Sequence, residues 1–134
     1  MRYDLDQIER LFREAGWTAY ITDQRVKIDL GQGAILCFQN AEREDDCLIG
    51  FLDTPWHTHD DLMFADGHGN CIELSNLDLA AALKEGRVLI CEQEMQGWIV
   101  DRWLIHSECN DEFKYLLEGE RIIARRAMIH PARR

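Results

Sequence analysis

The chain has 134 residues, 46% of them hydrophobic and 30% charged, which suits one globular domain with a core of its own and excludes a largely disordered protein. Its 25 acidic and 15 basic residues give a net charge of −10, and since Arg121, Arg125, Arg126, Arg133 and Arg134 contribute +5 with no acid after them, residues 1–120 carry −15. A body this acidic repels phosphate backbones, which argues against nucleic acid as a partner and suits a basic protein better.

The first expected element is a helix. Asp4 can cap it, Gln7 can close a capping box three residues on, and Leu5, Ile8, Leu11, Phe12 and Ala15 fall on one face before Gly16 stops it. From Trp17 the period changes to two. Residues 17–22 and 25–30 alternate apolar and polar side chains around an Asp23-Gln24 turn, and residues 34–38 add a short apolar strand after the turn Gly31-Gln32-Gly33. Residues 39–46, QNAEREDD, carry four acids and one arginine and read as an acidic loop. Residues 48–52 return to strand, ended by Asp53-Thr54-Pro55.

Residues 62–64 and 71–74 predict a hairpin whose tip holds Gly67, His68 and Gly69. Ser75 or Asn76 can cap a second helix, LDLAAALKE, closed by Gly86. Residues 87–91 and 98–105 are the strongest strand patterns, with residues 92–97 as a polar turn; Asp101 and Arg102 interrupt the second strand and require partners from neighbouring strands. One or two helical turns over residues 112–117, a last strand over residues 121–129 and a frayed tail at residues 131–134 complete the chain.

No apolar run reaches the length that spans a bilayer, and the opening MRYDLDQIERLF mixes charges with apolar residues where a signal peptide would be apolar. The five cysteines, Cys37, Cys47, Cys71, Cys91 and Cys109, are odd in number and form no CxxC pair, so free thiols in a reducing, cytoplasmic setting are expected.

Chemistry concentrates in residues 48–75, which hold His57, His59 and His68. His57 and His59 lie two apart, so on extended backbone both imidazoles point one way and could ligate zinc or another divalent metal, with Asp60, Asp61, His68 or Cys71 completing the shell. The competing reading is a polar loop, residues 56–61, in which Trp56, Asp60 and Asp61 serve as a contact surface. Thiol–imidazole pairs at Cys71 with His68 or Cys109 with His106, and carboxylates at Asp53, Asp60 or Glu73, are weaker candidates. Neither a phosphate-binding glycine loop nor a GxSxG elbow occurs. Trp17, Trp98 and Trp103 are expected in or beside the core, leaving Trp56 as the aromatic of interest.

The expected fold is therefore α+β: one domain over residues 1–130, a twisted antiparallel sheet or small sandwich of about eight short strands covered by two or three short helices. The expected function is binding without catalysis and without a cofactor. Glu42, Glu44, Asp45, Asp46, Trp56, Asp60 and Asp61 would contact a basic partner, in the manner of an immunity-type inhibitor that neutralises a basic toxin. The alternative is a metal-binding domain or small metal-dependent hydrolase centred on His57 and His59.

Overall fold

The computed structural model describes residues 2–41, 46–109 and 116–129. Helix α1 (Leu5–Glu14) begins where the Asp4 side chain accepts the Gln7 N–H at 3.1 Å, and it buries Ile8 and Phe12 on its inner face. The chain then forms a five-stranded antiparallel meander: β1 (Thr18–Thr22), β2 (Arg25–Asp29), β3 (Ile35–Asn40), β4 (Cys47–Phe51) and β5 (His57–His59), in that spatial order. Asp23 and Gln24 both take positive φ, 53° and 60°, as a two-residue hairpin turn requires. Period-two alternation turns Ala19, Val26, Ile28, Leu36, Phe38 and Ile49 inward, where they are buried. Phe12 and Phe38 meet at 5.8 Å between ring centroids, and burial of such a side chain stabilises by about 1.5–3 kcal/mol.

The next hairpin, β6 (Leu62–Ala65) with β7 (Cys71–Leu74), stands apart as a two-stranded sheet. A 3-10 turn (Asn76–Asp78), capped by the Ser75 hydroxyl, leads into helix α2 (Leu79–Glu85), which Gly86 ends at φ 76°. The third sheet holds β8 (Val88–Met95), β9 (Trp98–His106) and β10 (Glu120–Arg125), ordered β10-β8-β9 and antiparallel. Its Val88, Ile90 and Leu104 join the main core with α1, α2 and the meander, while Cys91, Trp103 and Ile105 form a second cluster on its other face. Half-buried Trp56 packs against both.

The α+β, mostly antiparallel character agrees with expectation; the arrangement differs, with ten strands in three sheets among the described residues. Asp60, at φ 58°, breaks the extended chain between β5 and β6, so the following hairpin does not add to the meander. Residues 92–97 are not a polar turn. β8 continues to Met95, and only Gln96 and Gly97 turn, both at positive φ. The strand continues because the charge of Glu92 is met inside: Arg102 Nε donates to Glu92 Oε2 at 2.8 Å and Arg125 Nε to Glu92 Oε1 at 2.7 Å.

The same arginines join the two large sheets. Arg102 Nη1 also reaches Asp53 Oδ1 at 3.1 Å, and Arg125 Nη2 donates to the Gly31 carbonyl at 2.9 Å. Burial alone would push the Glu92 carboxyl up; the hydrogen bonds from Arg125 and Arg102 outweigh it and hold it below the usual carboxylate range. The last strand is shorter than residues 121–129, because beyond Arg125 the chain leaves β8 and Met128 N–H donates to the Leu30 carbonyl at 2.8 Å. Of the helical turns expected over residues 112–117, residues 112–115 lie outside the described residues, as does the tail at 131–134; Leu116 and Leu117 belong to no regular element.

Candidate functional site

The meander decides which side chains share a surface. Its antiparallel register brings the end of β1, the start of β2, the end of β3, the start of β4 and the end of β5 to one end of the sheet. Asp23, Asp46, Asp60 and Asp61 therefore lie at that end, together with the chain ends that lead into residues 42–45. Glu42, Glu44 and Asp45 themselves lie outside the described residues.

Two of the four described acids are also engaged inside the fold. Asp60 Oδ1 accepts the Cys47 thiol at 3.1 Å, and the Asp60 carbonyl accepts the Tyr3 hydroxyl at 2.6 Å; burial pushes that phenol well above its ordinary range. Asp61 Oδ1 accepts both the backbone and side-chain N–H of Asn76 at 3.0 Å, fixing the entry to α2. Asp46 and Asp23 are held more loosely. Asp23 lies 3.7 Å from the Lys27 ammonium with its own side chain 82% exposed, and the Nδ1–H of His59 donates to Asp46 at 3.0 Å, which holds that carboxyl below its ordinary value.

Residues 56–61 are not a loop throughout: His57, Thr58 and His59 pair with β4 as an edge strand, with His57 opposite Gly50 and His59 opposite Leu48. Glycine at 50 makes this approach possible, since a Cβ there would stand 2.8 Å from the Trp56 carbonyl oxygen and 3.1 Å from His57 Cβ. Extended backbone places the two imidazoles on one side, as expected, with ring centroids 5.5 Å apart. His57 Nδ1 donates to the Pro55 carbonyl at 3.1 Å while His59 Nδ1 is engaged by Asp46, so the rings are aimed at different partners. Among the described residues, no three His, Cys, Asp or Glu side chains are grouped to hold a metal ion.

The thiol–imidazole candidates resolve differently from one another. Cys71 is exposed, and His68 occupies the exposed hairpin tip, with Asp66 accepting the backbone N–H groups of His68 and Asn70. Cys109 is buried, its thiol donating to the Phe64 carbonyl at 3.3 Å, while Nδ1 of buried His106 accepts the Glu108 N–H. Both groups support the chain. Glu73 is exposed on β7 and Asp53 faces Arg102.

Among the described residues no helix covers the outward face of the meander, which holds a cleft of about 190 Å³ that the sequence did not reveal. Two adjacent register rows form its base, Arg25–Gln39–Leu48 and Cys37–Gly50–His57, and Thr54, Pro55 and Trp56 wall it. Burial pushes the Cys37 thiol up despite Arg25 and Lys27 nearby, so it stays a neutral, weakly nucleophilic group. The tryptophans also depart from expectation. Trp17 and Trp103 are core residues, Trp17 Nε1–H donating to the Ala80 carbonyl at 3.0 Å, but Trp98 stands 77% exposed just after the β8–β9 turn. No helix of the described residues is long and apolar enough to cross a membrane. No protein-family model, curated protein or solved structure matches the chain.

Proposed function

We propose that this chain is a non-catalytic binding module that engages a basic protein partner through the acidic end of its five-stranded sheet, in the manner of an immunity-type inhibitor. The observation that carries this reading is the convergence of Asp23, Asp46, Asp60 and Asp61, from turns far apart in sequence, at one end of a sheet whose 42–45 connection adds three more acids. Clustered like charge accelerates encounter with an oppositely charged partner and disfavours other partners. Asp60 and Asp61 are held in place by bonds to Cys47 and Asn76, so part of the patch is ordered before any partner arrives.

The test replaces Glu42, Glu44, Asp45 and Asp46 by their amides and compares the variant with the wild type as bait in lysate of the native cell. A basic protein retained by the wild type at low salt, released at high salt and not retained by the variant supports the reading. If every protein captured is indifferent to both the substitutions and the salt, the reading fails.

A further inference from the structure

We infer that the cleft on the open face of the five-stranded sheet is a binding site for a small organic carboxylate bearing an apolar group. The site lies on the outward face of the sheet and borders the acidic end through the row Arg25–Gln39–Leu48, and its ligand is a small molecule distinct from any protein partner.

Arg25 is the group that selects the charge. The strands of the meander carry two half-buried cations, Arg25 and Lys27, and Lys27, two residues further along β2, has Asp23 at 3.7 Å. Among the described residues, Arg25 has neither a carboxylate within 4.0 Å nor a side-chain hydrogen-bond partner, although it is half-buried and lines the cleft. A guanidinium presents planar paired donors that match one carboxylate. The Gln39 amide, directly opposite Arg25 in the register, likewise makes no side-chain hydrogen bond to another described residue.

Thr54 provides the second observation. The residue lines the cleft, and its hydroxyl oxygen is buried with no hydrogen-bond partner among the described residues. Folded proteins rarely leave such an atom unpaired, because its lost hydration is then uncompensated. The oxygen is shielded from the cleft as the side chain stands, so a rotation of Thr54 would be needed for its hydroxyl to donate to a ligand oxygen held by Arg25. The remaining surface is hydrocarbon: Leu48, Pro55 and the face of Trp56, which suits a short apolar or aromatic body.

Two features favour a carboxylate over phosphate. A single negative charge is repelled half as strongly as a dianion by a body carrying −15, and the planar fork of one arginine is matched by two oxygens. Small size follows from the volume of about 190 Å³. Gly50 sets the shape, since the Trp56 carbonyl and His57 Cβ occupy the space that a side chain at 50 would need, bringing the Trp56 wall over the sheet.

The probe is phenylacetate, titrated into the full chain while amide and indole proton–nitrogen correlations are followed, with neutral phenylacetamide and inorganic phosphate as comparisons. Saturable shifts confined to Arg25, Gln39, Gly50, Thr54 and Trp56 are expected, with the amide about tenfold to a hundredfold weaker, the ratio that a charge-assisted hydrogen bond supplies. Arg25→Gln should abolish saturation, Arg25→Lys should retain part of it, and Thr54→Val should weaken it several-fold, each with an otherwise unchanged spectrum. Equal affinity for acid and amide, undiminished binding in Arg25→Gln, tighter binding of phosphate, or shifts that are non-saturating and scattered over the surface would each overturn the assignment. If Arg25→Gln does not fold, Thr54→Val and the acid–amide ratio on the wild type decide the outcome.

Discussion

Replacing Glu92 by glutamine tests the buried charge cluster of the three-stranded sheet, whose arginines also reach Asp53 and the Gly31 carbonyl of the meander. The carboxylate side chain is 9% exposed and lies between Arg102, 6% exposed, and Arg125, 13% exposed, so the substitution leaves two guanidinium groups in a poorly hydrated space with no anion between them. The glutamine amide nitrogen would also point a donor at a donor. Breaking a buried ion pair from one side costs about 3–5 kcal/mol, most of it the penalty of the charge left behind. For a chain of this size, that corresponds to about 10–18 °C in Tm. Urea unfolding followed by tryptophan fluorescence is the assay. The pH dependence provides a second reading of the same experiment: the folded-state pKa of Glu92 is lowered, so its contribution is fully present above the unfolded value of about 4.3 and is lost as pH falls through the folded value. Wild type and Glu92→Gln should therefore differ most near neutrality and converge in acid. A loss under about 1 kcal/mol at neutral pH, or a difference that grows on acidification, would show that the two arginines are solvated and do not depend on the Glu92 carboxylate. Replacing Glu92, Arg102 and Arg125 together by apolar residues of similar volume should cost less than Glu92→Gln alone, because no charge is stranded.

Gly50→Ala should detach β5, since its Cβ would overlap the Trp56 carbonyl; about 1–3 kcal/mol of destabilisation is expected, with faster amide exchange in residues 57–59 than elsewhere in the meander. Trp98→Ala should change stability by no more than about 0.5 kcal/mol, whereas Trp103→Ala should cost about 3–5 kcal/mol, both by chemical denaturation, because the first indole is 77% exposed and the second 1%. Of the five free thiols, Cys71 alone is exposed, so a thiol reagent should modify one cysteine rapidly in the native protein and all five in denaturant; rapid native modification of Cys37, Cys47, Cys91 or Cys109, read by mass spectrometry, would contradict the burial described.

Local chemistry was readable wherever neighbours in sequence are also neighbours in space. The Asp4 cap, the Asp23-Gln24 turn, the glycine-flanked tip at His68 and the Ser75 cap each depend on a few adjacent residues and formed as their residue types require. Misreadings fell where a distant partner changed the meaning of a residue. Glu92 and Gln93 look like turn residues until Arg102, Arg125 and Glu120 are placed beside them. His57 to His59 look like a loop until Gly50 opens an edge to pair with. Trp98 and Trp103 share one strand and one residue type, yet the first follows the β8–β9 turn at the sheet's end and the second faces the satellite core.

The candidate sites follow the same division. Abundant acid, free cysteines and a paired-histidine segment belong to the sequence by itself, because charge, count and i,i+2 spacing need no fold. Which acids stand together, and that Arg25, Gln39 and Thr54 share a cleft, follows only from a register that aligns β2, β3 and β4 and folds residues 54–56 back over the sheet. Alternation in a strand tells which side chains share a face but not which strand lies next to it. That ordering is a property of long-range pairing, and it was decided by the tertiary structure.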